Sequence, residues 1–239
     1  MDQNILESYM REVEMDKTAW YRFPAHIKED SDIFIHALMR NENIFRHAPL
    51  IIKQNPEIVG LALDINGYNI EYCLPEFKKD KMYAVRAIIS KPHAIKRVDR
   101  ALLNDRELVL ILAKTGGQAF ATDKELIPTK YFDDFEIMDY AVKSCPLIYV
   151  YGSLRYRSDP VRAKDAIELA PSNIVKVPYD LLVDYPELCL TAIAKHSHFW
   201  NVVPQILKDN PAFVEDALEA NPNVINELDD DFSTMLPQR

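Results

Sequence analysis

The sequence predicts an all-α protein: an α-solenoid of about eight 25-residue repeats with a degenerate N-terminal capping unit. Three observations carry this. A motif is written twice, NPEIVGLAL at 55–63 and NPAFVEDAL at 210–218. With its Ala as anchor, equivalent positions recur at Ala37, Ala62, Ala87, Leu112, Ala141, Ala166, Ala192 and Ala217, in steps of 25, 25, 25, 29, 25, 26 and 25. Glycine is scarce (5) and proline abundant (15), which argues against tight hairpins and against long uninterrupted helices alike.

Each repeat begins with a cap. Seven residues before the anchor stand Asp30, Asn55, Asp80, Asp105, Asp134, Asp159, Tyr185 and Asn210. All but Tyr185 are good N-caps, and Asp184 is expected to cap one residue early in that repeat. Pro56, Pro160, Pro186 and Pro211 follow at the first helical position, where a missing N–H costs nothing. Glu57, Glu107, Glu136 and Glu187 place negative charge in the first turn, where the helix dipole favours it. Four before the anchor come Ile33, Ile58, Tyr83, Leu108, Ile137, Arg162, Leu188 and Phe213; with the positions three before, at the anchor and one after, they form a stripe at helical spacing. This is helix A, about ten residues long.

Five after the anchor, Pro92, Pro146, Pro171 and Pro222, or Gly67 and Gly117, end helix A and open a short helix B. Eight after it stand Phe45, Ile70, Ile95, Phe120, Tyr149, Ile174, Trp200 and Ile225, all large and apolar. Pro49, Pro75, Pro178 and Pro204 then introduce a final turn carrying Ile52, Phe77, Leu102, Tyr156, Leu181, Leu207 and Phe232. Upstream, Trp20, Pro24 and Ile27 keep the phase, so the reading is one domain: 1–29 a cap unit, 30–232 the repeats, 233–239 a tail. A 25-residue unit cannot bury its stripe alone; neighbours must cover it.

NDRELVLIL (104–112), DDFEIMDYAVKSCP (133–146) and DYPELCLTAIAK (184–195) resemble the helical repeat catalogued as domain of unknown function 4116. The likeness covers roughly 30–232. It implies bacterial, viral or protist helical repeats, notably of bacteria living inside eukaryotic cells, and it brings no catalytic residues. The chain departs from the pattern at Leu112, at Arg162 and at an insertion before Ala141.

The composition bounds the chemistry. A net charge of −9 with 27% charged residues points to a soluble protein with little overall attraction for nucleic acid or membranes. Three widely spaced cysteines give no disulfide framework and fit a reducing compartment. The N-terminal residues lack the pattern of a secretory leader, and no apolar run reaches membrane-spanning length. The expected location is cytoplasmic, with delivery into a host-cell cytosol as the variant the resemblance suggests. Cys73 and Cys189 occupy core positions. The imidazoles of His196 and His198 are expected to diverge, so neither metal nor cofactor is expected. Gly116–Gly117 lacks the Lys and Ser or Thr of a phosphate loop, and the acids of 228–232 read as a solvated face.

Residues that a repeat does not require are the better functional candidates. One set is the insertion near 121–126, with Asp123, Lys124 and Glu125. The other is YVYGSLRYRSDPVRAK (149–164), which gathers Tyr151, Arg155, Arg157, Arg162 and Lys164, with Lys143 one helix earlier. These are expected to form a cationic, aromatic patch for a carboxylate, a phosphate or an acidic loop of a partner. Arg157→Glu with Arg162→Glu is then expected to weaken partner binding and leave helicity intact. Residues 78–106 carry nine basic side chains, whereas 209–231 carry eight acids and no base. The leading expectation is a non-enzymatic protein-binding scaffold, an effector or an inhibitor docking on its target. A nucleic-acid binder using the basic faces of 78–106 and 155–164, and an enzyme of unrecognised type, are the alternatives. The sequence assigns neither partner nor oligomeric state.

Overall fold

The computed structural model describes residues 3–228, which are helical throughout with no strand among them. Phe232, the tail 233–239 and the aspartates 229–231 lie outside the described residues. Two compact units divide after Pro128. The first contains α1 (Gln3–Met15), α2 (Ser31–Arg40), α3 (Pro56–Ile65), α4 (Lys81–Ser90) and α5 (Arg106–Thr115). The second contains α6 (Phe135–Ser144), α7 (Pro160–Leu169), α8 (Glu187–Lys195) and α9 (Pro211–Ala220). Within each unit every long helix packs against the next.

The boundaries follow from local chemistry. The carboxylate or amide oxygen of Asp30, Asn55, Asp80, Asp105, Asp134, Asp159 and Asn210 accepts from backbone N–H groups of the first turn. Such a cap contributes roughly 1 kcal/mol. α8 is the exception: Pro186 holds the cap position with no side-chain bond, and Asp184 instead closes the preceding helix, Tyr179–Asp184. The orphan N–H of Leu188 there donates to the Tyr185 carbonyl at 3.0 Å. At the other end, the residue four after each anchor donates its N–H to the anchor carbonyl. Where proline follows, at Lys91, Cys145, Ala170 and Asn221, that residue is extended, with φ between −142° and −154°. Proline excludes the α region for the residue before it, so the helix stops and a 3-10 segment begins.

All eight anchors have zero exposure. Seven of the large side chains eight residues later are buried as well, but Ile225 is 43% exposed and Val224 beside it is the buried one. Trp20 and Ile27 are buried in the first unit.

Two buried asparagines escape the hydrophobic pattern. Asn69 Nδ2 donates to the Ala62 carbonyl at 2.9 Å and to the Glu42 carbonyl at 3.2 Å. Asn173 Nδ2 repeats this with Ala166 at 2.9 Å and Pro146 at 3.0 Å. Each amide ties an anchor carbonyl to the segment one repeat earlier. Removing one takes away two hydrogen bonds, and the anchor carbonyl keeps only its helical N–H partner. Asn173→Ala is therefore expected to cost about 1–2 kcal/mol, read as a lower urea midpoint by circular dichroism. Asn173→Asp is expected to cost more, because a carboxylate would face two carbonyl oxygens without a donor.

Candidate functional site

The segment 149–164 lies in the second unit, and its three arginines are already engaged. Arg162 stands in the first turn of α7, where Asp159 caps its backbone N–H and also accepts from Nη1 at 3.0 Å. Its Nε and Nη2 donate to Asp139 of α6 at 2.9 and 3.1 Å, a bidentate pair. The guanidinium lies 4.5 Å over the Phe135 ring and 5.7 Å over that of Tyr156. Tyr156 is buried and donates its hydroxyl to Asp139 at 3.0 Å. Hydrogen bonds to Asp139 raise the Arg162 pKa further, and burial pushes the Tyr156 phenol up. Arg155 pairs with Asp133 at 3.2 Å and also covers Phe135, at 4.6 Å. Hydrogen bonding from Ser153, then from Arg155, holds the Asp133 carboxyl below its ordinary range. Arg157 donates to the carbonyls of Gly152 at 3.0 Å and Lys176 at 2.6 Å.

Arg162 thus belongs to a set of contacts within the chain centred on Phe135 and Asp139, and Arg155, although exposed, is paired with Asp133. Tyr151 is 43% exposed, with its ring 6.5 Å from that of Phe132. Lys143 and Lys164 are exposed and form no ion pair among the described residues.

Beside these contacts, between α6 and α7, lies a groove of about 560 Å³. Val142, Tyr156 and the Asp139–Arg162 pair line it from within; Lys143 stands on the α6 side. The α7 side presents Val161, Asp165, Glu168 and Leu169. All four are exposed, Val161 at 67% and Leu169 at 49%. The sequence reading missed this stripe. Its signal was an apolar residue five before the anchor and another three after it, on the helix face opposite the core.

The insertion lies in the first unit. Lys124–Leu126 is a short 3-10 turn, with Glu125 exposed and Lys124 half-buried. Asp123, expected to face a partner, is only 4% exposed: Lys96 Nζ lies 2.7 Å and His93 Nδ1 3.0 Å from its carboxylate. Burial pushes this carboxyl up, but the hydrogen bonds from Lys96 and His93 outweigh it and hold the pKa below 3.8. A carboxyl lowered on folding stabilises the fold above its unfolded pKa, and the gain is lost as pH falls through the folded value. Wild type is expected to exceed Asp123→Asn in stability by about 1–3 kcal/mol at neutral pH, the gap narrowing as pH falls below the ordinary carboxylate range in urea titrations.

Many basic residues of 78–106 also meet acids. Lys81 pairs with Asp105 and Glu107, Arg86 with Asp64, Arg97 with Glu71 and Lys96 with Asp123. Burial pushes the thiols of Cys73 and Cys189 up to about 12, away from nucleophilic use. His196 and His198 do not diverge: their rings stack with centroids 5.6 Å apart, because His196 is extended (φ −150°, ψ 122°) rather than helical. Among the described residues no group of three or more His, Cys, Asp or Glu is placed to hold a metal, and no helix is long and apolar enough to cross a membrane.

Comparison with protein-family models, with curated proteins and with solved structures finds no match.

Proposed function

We propose that the chain is an α-solenoid, built of the units resembling domain of unknown function 4116, and that it acts as a non-enzymatic scaffold binding a protein partner in a cytosol. The observation that carries this is the α6–α7 groove, with Val161 and Leu169 exposed on one helix face beside Asp165 and Glu168. Exposed aliphatic groups beside charges in a shallow groove suit a partner chain better than a small substrate. The ion pairs of the first unit's cations weigh against a phosphate backbone as ligand, which needs uncommitted positive charge.

Affinity capture from lysates of the source organism and its host tests the reading. Wild type and Val161→Glu/Leu169→Glu are compared, with bound proteins identified by mass spectrometry. A protein retained by wild type and lost by the variant is expected. Equal capture by both would remove the groove as the contact surface; no specific capture by wild type, or heat-sensitive turnover of a substrate by the purified chain, would overturn the reading.

A further inference from the structure

We infer that the α6–α7 groove receives a partner segment carrying a basic side chain, arginine above all, next to an aliphatic one; the inference rests on the protein-binding reading above. The charges in the groove divide into two classes. Arg162 is neutralised by Asp139 and Asp159, so it offers a ligand no net charge. Asp165 and Glu168 are exposed and form no ion pair among the described residues, and Lys143 is likewise uncommitted. The uncommitted charge is therefore two carboxylates on the α7 side against one ammonium on the α6 side.

Spacing adds geometry to sign. Val161, Asp165, Glu168 and Leu169 follow at steps of four, three and one, so they share one face of α7. Side chains three apart on a helix are neighbours at about 5–6 Å between Cβ atoms, a span that the five donors of a guanidinium can bridge. An arginine entering there sets its charge between Asp165 and Glu168, and its methylenes lie along Val161 or Leu169. An adjacent aliphatic residue of the partner covers the rest of that stripe. Lys143, across the groove, fits a carboxylate on the same segment. An acidic segment would instead set its charges against Asp165 and Glu168, and so would the phosphates of a nucleic acid.

The test is selection from a phage-displayed library of random peptides about twelve residues long on the immobilised full chain. Wild type is run beside Asp165→Lys/Glu168→Lys. Both changes are at exposed positions, and circular dichroism checks that the variant is folded; Asp165→Asn/Glu168→Gln is the milder version that keeps side-chain shape. Enrichment of Arg or Lys next to Leu, Ile, Met or Phe on wild type is expected. A peptide so selected should lose about tenfold or more in affinity for the lysine variant by fluorescence anisotropy, and should weaken as salt is raised. Acidic or uncharged consensus sequences, or no enrichment, would overturn the inference. So would equal affinity for wild type and both variants; peptides that bind regardless of these substitutions, or a partner captured from lysate despite them, would leave the scaffold reading standing while removing this groove. Failure of both peptide selection and lysate capture removes the scaffold reading itself.

Discussion

Ala166→Asp is expected to abolish cooperative folding of the second unit. The anchor has no exposure, it sits in the middle of α7, and its own carbonyl is held by Asn173 and by the N–H of Ala170. An unpaired buried charge costs about 4 kcal/mol or more even after relaxation, a large part of the roughly 5–15 kcal/mol that holds a domain together. The loss spreads because ten-residue helices such as α6, α7 and α9 are too short to persist alone in water. The expected readout is a fall in helical circular dichroism and loss of the cooperative urea transition. Ala166→Gly should cost only about 1 kcal/mol, mostly helix propensity. Lys164→Asp, two residues away and exposed, serves as the control for adding an acid to α7. If Ala166→Asp unfolds at the same urea concentration as that control, the anchor is not the closely packed position assigned to it.

What the sequence made legible was the part of the structure governed by short range. A cap, a proline and an anchor act over one or two turns, so a 25-residue register was enough to place α2 to α9 to within a residue or two. The register also put Trp20, Ile27 and the aromatic or aliphatic residues after each anchor in the core, and it erred at Ile225, where Val224 took the buried place. The cap at α8 was lost for a local reason too: Tyr185 stands in the cap slot without a short acceptor side chain, and Asp184 closes the preceding helix instead.

The site was less legible because its residues are set by what faces them one repeat away. Arg162 reads as a free cation until Asp139, 23 residues earlier, is seen to face it. Arg86 with Asp64 and Arg97 with Glu71 follow the same spacing, at 22 and 26 residues. Opposite charges one repeat apart were present in the sequence, but pairing them requires knowing which side chains of adjacent helices meet. Asp123 was misjudged in the same way: an insertion suggested exposure, whereas His93 and Lys96, 30 and 27 residues earlier, draw its carboxylate inside. Asn69 and Asn173 gave no hydrophobic signal at all, because their role is to satisfy backbone carbonyls.

Arg162→Glu is the second large effect, and the geometry reverses the outcome expected from sequence. Arg157→Glu with Arg162→Glu was expected to spare the fold and weaken binding; the Arg162→Glu change on its own should instead destabilise the second unit. The new carboxylate would face Asp139 and Asp159 with no cation between them, and Phe135 and Tyr156 would lose the guanidinium that covers them. Breaking a partly buried, bidentate pair and replacing it by repulsion is expected to cost roughly 2–4 kcal/mol. Arg162→Ala should cost less, since it removes the attraction without adding a like charge. Asp139→Ala in the Arg162→Glu background should recover part of the loss, and raised salt should recover part as well. Arg157→Glu is a separate case, because Arg157 bonds to carbonyls rather than to carboxylates; it forfeits two hydrogen bonds but creates no cluster of acids. The measurement is the urea midpoint of each variant, with peptide affinity determined only under conditions where the chain is folded. An unchanged midpoint for Arg162→Glu together with lost binding would return Arg162 to the role of a contact residue. A lowered midpoint, with affinity intact in the folded fraction, would place it among the contacts that hold α6 against α7 and leave recognition to Asp165, Glu168 and Lys143.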